Sequence, residues 1–129
     1  MASNLLVYCC LFAVVAVWVT AEEDKLDAIN VDEVLGNDRL VHSYLECVMD
    51  DNDSKCTKEG REVKSRLPGL VKTGCNDCTP KQLERAIKTL KHITEKHPEE
   101  WKKLKAKYDP TGEYTQKYAE TWKQRGVDF

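Results

Sequence analysis

Residues 73–82 read TGCNDCTPKQ. Two cysteines with two residues between them stand directly before a helix start. Thr79-Pro80-Lys81-Gln82 has the pattern of a capping box with proline at the first helical position. A Cys-x-x-Cys in that place can be a redox catalyst, half of a metal site or a fixed crosslink. The compartment in which the thiols live bears on which one it is.

The first residues speak to that compartment. Met1 to Ala21, MASNLLVYCCLFAVVAVWVTA, has a short polar start, an apolar run from Leu5 to Val19, and small residues where a signal peptidase cuts. This predicts a secretory signal peptide over residues 1–21, which would carry Cys9 and Cys10 away. The run is shorter than the roughly 20 residues of a spanning helix, and an acidic stretch follows it. The mature chain, Glu22 to Phe129, is then one small domain. Domains of this size bury a modest share of their unfolded surface, so crosslinks help them. Four cysteines remain in it, Cys47, Cys56, Cys75 and Cys78. In a small secreted chain they predict two disulfides, for which three connectivities exist.

The helical pattern is found throughout, and no stretch alternates long enough for a strand. Asn30 can cap a short turn through VDEVL. Asn37 or Asp38 caps a helix to about Met49, with Leu40, Val41, Tyr44, Leu45 and Val48 on one face. Thr57 opens a third helix through Val63 to about Arg66, with its end expected near Leu67-Pro68-Gly69. The helix begun at Thr79 carries Leu83, Ile87, Leu90 and Thr94 on a stripe and ends before Pro98. A fifth holds Trp101, Leu104 and Tyr108 and stops at the turn Asp109-Pro110-Thr111-Gly112. A sixth, from about Glu113 to Gln124, spaces Tyr114, Tyr118 and Trp122 by four. The expectation is an all-α domain of six short helices.

Placed on those helices, Cys47 falls in the last turn of the second and Cys56 at the entry to the third. Cys75 and Cys78 flank the start of the fourth. Sequential pairing needs no long-range coincidence, and loop entropy does not choose among the connectivities.

These residues resemble one family, the insect chemosensory proteins, which are small secreted carriers of the olfactory-segment-D type. The likeness rests on NVDEVLGNDRLVHSYLECVMD around the first cysteine, CTKEGREVKSRLPGLVKTGCNDCTPKQ through the other three, and KLKAKYDPTGEY before the last helix. It implies pairing of Cys47 with Cys56 and Cys75 with Cys78, and an apolar internal channel for pheromones, odorants or long-chain fatty acid derivatives. It also implies channel-lining positions at Asp27 near the mouth, Tyr44, Val63, Gln82, Trp101 and Tyr118. A lipid carrier needs apolar walls with a few polar groups for a headgroup, and the tyrosines, Gln82 and the Trp101 indole can supply them. Three positions depart from the family pattern. Eight residues separate Cys47 from Cys56 where six is commoner, Leu26 stands where a tyrosine is usual, and Glu100 replaces a frequent second aromatic.

Other chemistries are weakly supported. An EF-hand starting at Asp50 would need glycine at Lys55 and glutamate at Arg61. His42, His92 and His97 match no zinc-protease pattern, and His92 and His97 are five apart, which puts them on different faces of a continuous helix. No phosphate loop or nucleophile elbow stands out, so no enzyme, cofactor or metal is expected. Asn52-Asp53-Ser54 is a glycosylation sequon. The formal net charge of −2 argues against nucleic acid. Its distribution is uneven: Glu22–Ser54 holds eleven acidic and two basic residues, Lys55–Phe129 eleven acidic and eighteen basic. Solvated helix faces account for that, with transient contact to a membrane or receptor as the alternative. The expectation is a monomeric, extracellular carrier of small hydrophobic ligands in a lymph-like fluid. Competing readings are a secreted signalling or developmental factor, and a Cys75/Cys78 thiol oxidoreductase, which lacks the βαβ pattern of thioredoxin-like domains.

Overall fold

The computed structural model describes residues 25–129. The leader expected over residues 1–21, with Cys9 and Cys10, lies outside them. A 3-10 turn, Lys25–Ala28, precedes six α-helices: α1 (Val31–Leu35), α2 (Asp38–Met49), α3 (Lys58–Thr73), α4 (Pro80–Lys96), α5 (Pro98–Tyr108) and α6 (Glu113–Gln124). No strand occurs among the described residues.

The caps read from the sequence are made. Asn30 accepts from the Glu33 N–H, Asn37 from Arg39 and Thr57 from Gly60, so Asn37 rather than Asp38 caps α2. At α4 the Thr79 hydroxyl accepts from the Gln82 N–H (3.2 Å) while the Gln82 side chain accepts from the Thr79 N–H (3.0 Å). One boundary differs. Helix α3 does not end near Pro68 but runs through it to Thr73, where Gly74 closes it in the left-handed conformation (φ 58°). An interior proline costs about 3 kcal/mol or more. Pro68 and Gly69 lie on the exposed face, where water can make up a missing helical bond, while Leu67, Leu70 and Val71 turn inward. Buried apolar side chains contribute roughly 1.5–3 kcal/mol each when fully covered, so three partly covered ones offset the proline.

The disulfides are Cys47–Cys56 and Cys75–Cys78. The first clamps the α2–α3 corner, and Gly60 packs against it so closely that a Cβ there would lie 3.0 Å from Cys47 Sγ. The second closes a four-residue ring between α3 and α4, holding Cys75 at φ 65°, a backbone state that non-glycine residues seldom adopt.

The acidic first third and the basic remainder lie against each other. Arg85 and Lys81 pair with Asp27, Lys88 with Asp32, Lys64 with Asp53 and Lys107 with Asp51. Arg85 also donates to Leu26 O (2.7 Å), tying the N-terminal turn to α4. The Lys107 ammonium donates to Met49 O (2.8 Å) and Asp50 O (3.1 Å), and that of Lys64 to Asp50 O and Asn52 O. The acidic loop after α2 thus folds around two ammonium groups of the chain itself, which also satisfy carbonyls left open at the helix C-terminus.

The apolar core is split. One cluster joins Val41, Leu45, Val48, Ile93 and Leu104, and the other joins Cys75, Trp122 and Val127. Helix α4 serves both, through Ile93 in the first and Leu83, Ala86, Ile87 and Leu90 around the second.

Candidate functional site

Between the clusters lies a cavity of about 360 Å³, to which all six helices contribute wall. That volume is at the lower end of the roughly 300–1,000 Å³ typical of small-molecule sites. Aliphatic side chains supply half of the lining residues, and aromatic rings much of the rest. Val34 and Leu35 come from α1, Val41, Leu45 and Val48 from α2, Val63, Leu67 and Leu70 from α3, and Ala86, Leu90 and Ile93 from α4. Leu26 and Ile29 close the end beside the N-terminal turn.

Five of the six residues expected to line a channel do line this cavity: Tyr44, Val63, Gln82, Trp101 and Tyr118. Gln82 does so while completing its capping box. Asp27 is placed differently. Its carboxylate is held by Arg85 (2.9 Å) and Lys81 (3.6 Å), and it is Arg85 that faces the cavity. The α4 stripe expected at Leu83, Ile87 and Leu90 packs as one face against the second cluster, while Thr94 falls outside it. Ala86, Thr89 and Ile93 join Leu90 in the wall.

The polar groups in the wall fall into two kinds. Most are already engaged. The Tyr108 hydroxyl donates to Val48 O, and burial pushes its pKa up. The Tyr118 hydroxyl donates to Lys72 O at 3.0 Å. Asp109, only 7 % exposed, accepts from the Thr115 hydroxyl (2.7 Å), the Thr115 N–H (2.7 Å) and the Tyr114 N–H (3.3 Å). The Thr115 hydroxyl, and then the two N–H groups, hold its carboxyl below the usual carboxylate range. Tyr44 has its pKa raised by burial, then by the nearby charge of Glu59. The other kind is the Trp101 indole N–H, which is shielded from solvent and has no acceptor among the described residues. A buried donor without a partner is costly.

Sequence reasoning did not single out Phe129. Its ring lies 5.0 Å from that of Trp101 and 5.9 Å from that of Trp122, and it is part of the cavity wall. Val127, 1 % exposed, anchors the segment that brings it there. No helical period extends to residue 129, so pattern reading had no signal for it. Asp109 was read only as a turn residue, and its capping of α6 from outside the helix depends on the turn's three-dimensional course.

The chain resembles known proteins over most of its length. Residues 23–116 match the insect pheromone-binding family, A10/OS-D. Ejaculatory bulb-specific protein 3 of Drosophila melanogaster is 45 % identical over 114 residues, covering 86 % of this chain and 89 % of that protein. A solved chemosensory protein in complex with bromo-dodecanol is 40 % identical, with a TM-score of 0.65 over 78 % of this chain and 99 % of that one. Antennal chemosensory protein A6 from the moth Mamestra brassicae is likewise 40 % identical, with a TM-score of 0.62 over 77 % of this chain and 95 % of that one. By its sequence, its two crosslinks and its six-helix architecture, this chain belongs to the insect pheromone-binding family A10/OS-D.

Proposed function

We propose that this protein is a secreted, non-enzymatic carrier that takes an elongated hydrophobic molecule into the cavity between its two core clusters. Long-chain alcohols, acids and esters of the pheromone, odorant and fatty acid derivative classes fit it best. The observation that carries the reading is the cavity itself, walled by aliphatic and aromatic side chains from all six helices, with one unpartnered indole donor on Trp101. The bound bromo-dodecanol of the related chemosensory protein supports the same chemistry, a long chain ending in a hydroxyl. In this assignment Tyr44, Val63, Trp101 and Tyr118 contact the chain, Gln82 and Trp101 offer polar contacts, and Asp27 acts through Arg85 at the N-terminal end.

Secretion is supported by the leader-like start and by two disulfides, which persist in oxidising compartments. No helix among the described residues is long and apolar enough to cross a membrane. Cys75, 3 % exposed, is poorly placed for thiol exchange, which weighs against the oxidoreductase reading. The exposed sequon Asn52-Asp53-Ser54 is assigned as a glycan acceptor, and release of mass by glycosidase from the secreted protein tests that assignment.

Displacement of an apolar fluorescent probe by a homologous series of n-alcohols tests the carrier. Each added methylene buries about 0.8 kcal/mol, so affinity rises up to roughly fourfold per carbon until the chain fills the cavity, then levels. A folded protein from which no lipophilic compound displaces the probe would overturn the assignment.

A further inference from the structure

Three histidines, separate in the sequence, come together on the outer side of the cavity wall. Asp38 is the first residue of α2 and His42 lies one turn further along it. His92 lies in the last turns of α4. His97 is the single residue linking α4 to α5. It leaves helical geometry (φ −132°, ψ 57°), which breaks the five-residue spacing that would otherwise point it away from His92. The His97 ring consequently lies 5.6 Å from the His92 ring and 5.6 Å from the His42 ring.

One donor atom each from Asp38, His92 and His97 lies within 4.8 Å of the others. The Nε2 atoms of His92 and His97 are shielded from solvent and have no hydrogen-bond partner among the described residues. Asp38 makes no ion pair among the described residues either, although lysines neutralise several other acidic residues of its segment. Two imidazoles without partners facing an unpaired carboxylate is an arrangement that ordinary core packing leaves unexplained.

We propose that Asp38, His92 and His97 form a binding site for a divalent transition-metal ion, with zinc as the best-suited cation. Two neutral imidazoles and a carboxylate suit zinc and its borderline neighbours, whereas calcium and magnesium favour oxygen-only sets. Bonds of about 2.0–2.2 Å to a tetrahedral ion put donors roughly 3.3–3.5 Å apart. Closing from 4.8 Å asks for small side-chain rotations, which the exposed Asp38 and the helix-free His97 permit. Water or His42 takes the fourth position. None of these residues lines the cavity, but their chain neighbours Val41 and Ile93 do. The ion would therefore join the start of α2 to the α4–α5 corner across the outer face of the ligand's wall.

The test uses the mature chain carrying no histidine tag, freed of metal by a chelator, and titrated calorimetrically with zinc chloride. One equivalent is expected to bind with micromolar or tighter affinity, with magnesium and calcium producing no comparable heat. His92→Ala and His97→Ala should each weaken zinc binding roughly tenfold or more while leaving hydrophobic-probe binding intact, and Asp38→Asn should weaken it less. On wild-type protein, zinc should shift the imidazole proton resonances of His92 and His97, a readout that requires no variant to fold. Absence of binding below millimolar zinc, zinc affinity unchanged in the His92→Ala/His97→Ala pair, or unmoved imidazole resonances at saturation would each overturn the proposal.

Discussion

The ring of Tyr118 lies directly on the α-carbon of Gly74. A Cβ built on Gly74 would stand 2.6 Å from the ring, while the Tyr118 hydroxyl donates to Lys72 O at 3.0 Å. One aromatic side chain thus covers the left-handed residue that ends α3 and contributes to the cavity wall beside the second disulfide. Arg125, which donates to Gly74 O (2.9 Å), makes a second tie from the end of α6 to the same turn.

Gly74→Ala must therefore meet both a positive φ and a clash with a packed ring. The backbone cost is about 1–2 kcal/mol and overpacking adds about 1–3 kcal/mol. A loss of about 2–5 kcal/mol in urea unfolding is expected. Tyr118→Phe, which keeps the ring and removes one hydrogen bond, should cost only about 0.5–1.5 kcal/mol.

Asp109 gives the fold a dependence on acid. Its carboxyl is held below the ordinary carboxylate range by the Thr115 hydroxyl and the N–H groups opening α6. A group whose folded pKa is depressed stabilises above its unfolded pKa, and that stability is lost as pH falls through the folded value. Asp109→Asn should thus destabilise the protein at neutral pH, with the gap to wild type narrowing below about pH 4. Thermal melts of both proteins across pH 7 to 2 measure this, and a gap independent of pH would contradict it.

The unpartnered indole N–H of Trp101 separates wall from headgroup contact. Trp101→Phe keeps an aromatic surface and deletes the donor. Affinity for long-chain alcohols and esters should fall by up to about tenfold, the worth of one neutral hydrogen bond, while alkanes of equal length lose little. Equal losses for both classes in a displacement assay would leave Trp101 as wall alone.

The two disulfides should contribute unequally. Closure of the longer Cys47–Cys56 loop is worth roughly 2.5 kcal/mol and that of the Cys75–Cys78 ring roughly 2 kcal/mol on loop entropy. Replacing each pair with serine and measuring urea unfolding tests whether the smaller ring is worth the lesser amount.

Ligand uptake should be felt most in α5 and α6, which lie outside both crosslinked loops. Hydrogen exchange with and without a bound long-chain alcohol should show protection gained at Trp101–Tyr108 and Tyr114–Trp122. Gains confined to α2 and α3 would contradict this.

Helix number, most helix ends and the residues able to crosslink were legible in the sequence because each rests on local chemistry. Thr79 with Gln82, Asn30 and Thr57 are caps acting over three residues, and Tyr114, Tyr118 and Trp122 share a face by helical period alone. Pro68 misled the local reading because its cost is balanced by the inward turn of Leu67, Leu70 and Val71, a contact between distant elements. On α4 the period correctly grouped Leu83, Ile87 and Leu90, but the gap between two clusters, rather than a single core, decided that Ala86, Thr89 and Ile93 join Leu90 in the cavity wall.

By itself the sequence determined an all-α chain with capped helices and four cysteines near helix ends, since propensity, capping and period act within one or two turns. Only the tertiary structure decided that five of the proposed contacts share one cavity with Phe129, that Asp27 is occupied by Arg85, and that His92 and His97 face Asp38. Those relations join residues distant in the sequence, Asp27 and Arg85 being 58 positions apart. They exist because apolar burial and long-range ion pairing set the mutual placement of the helices, which no local pattern encodes.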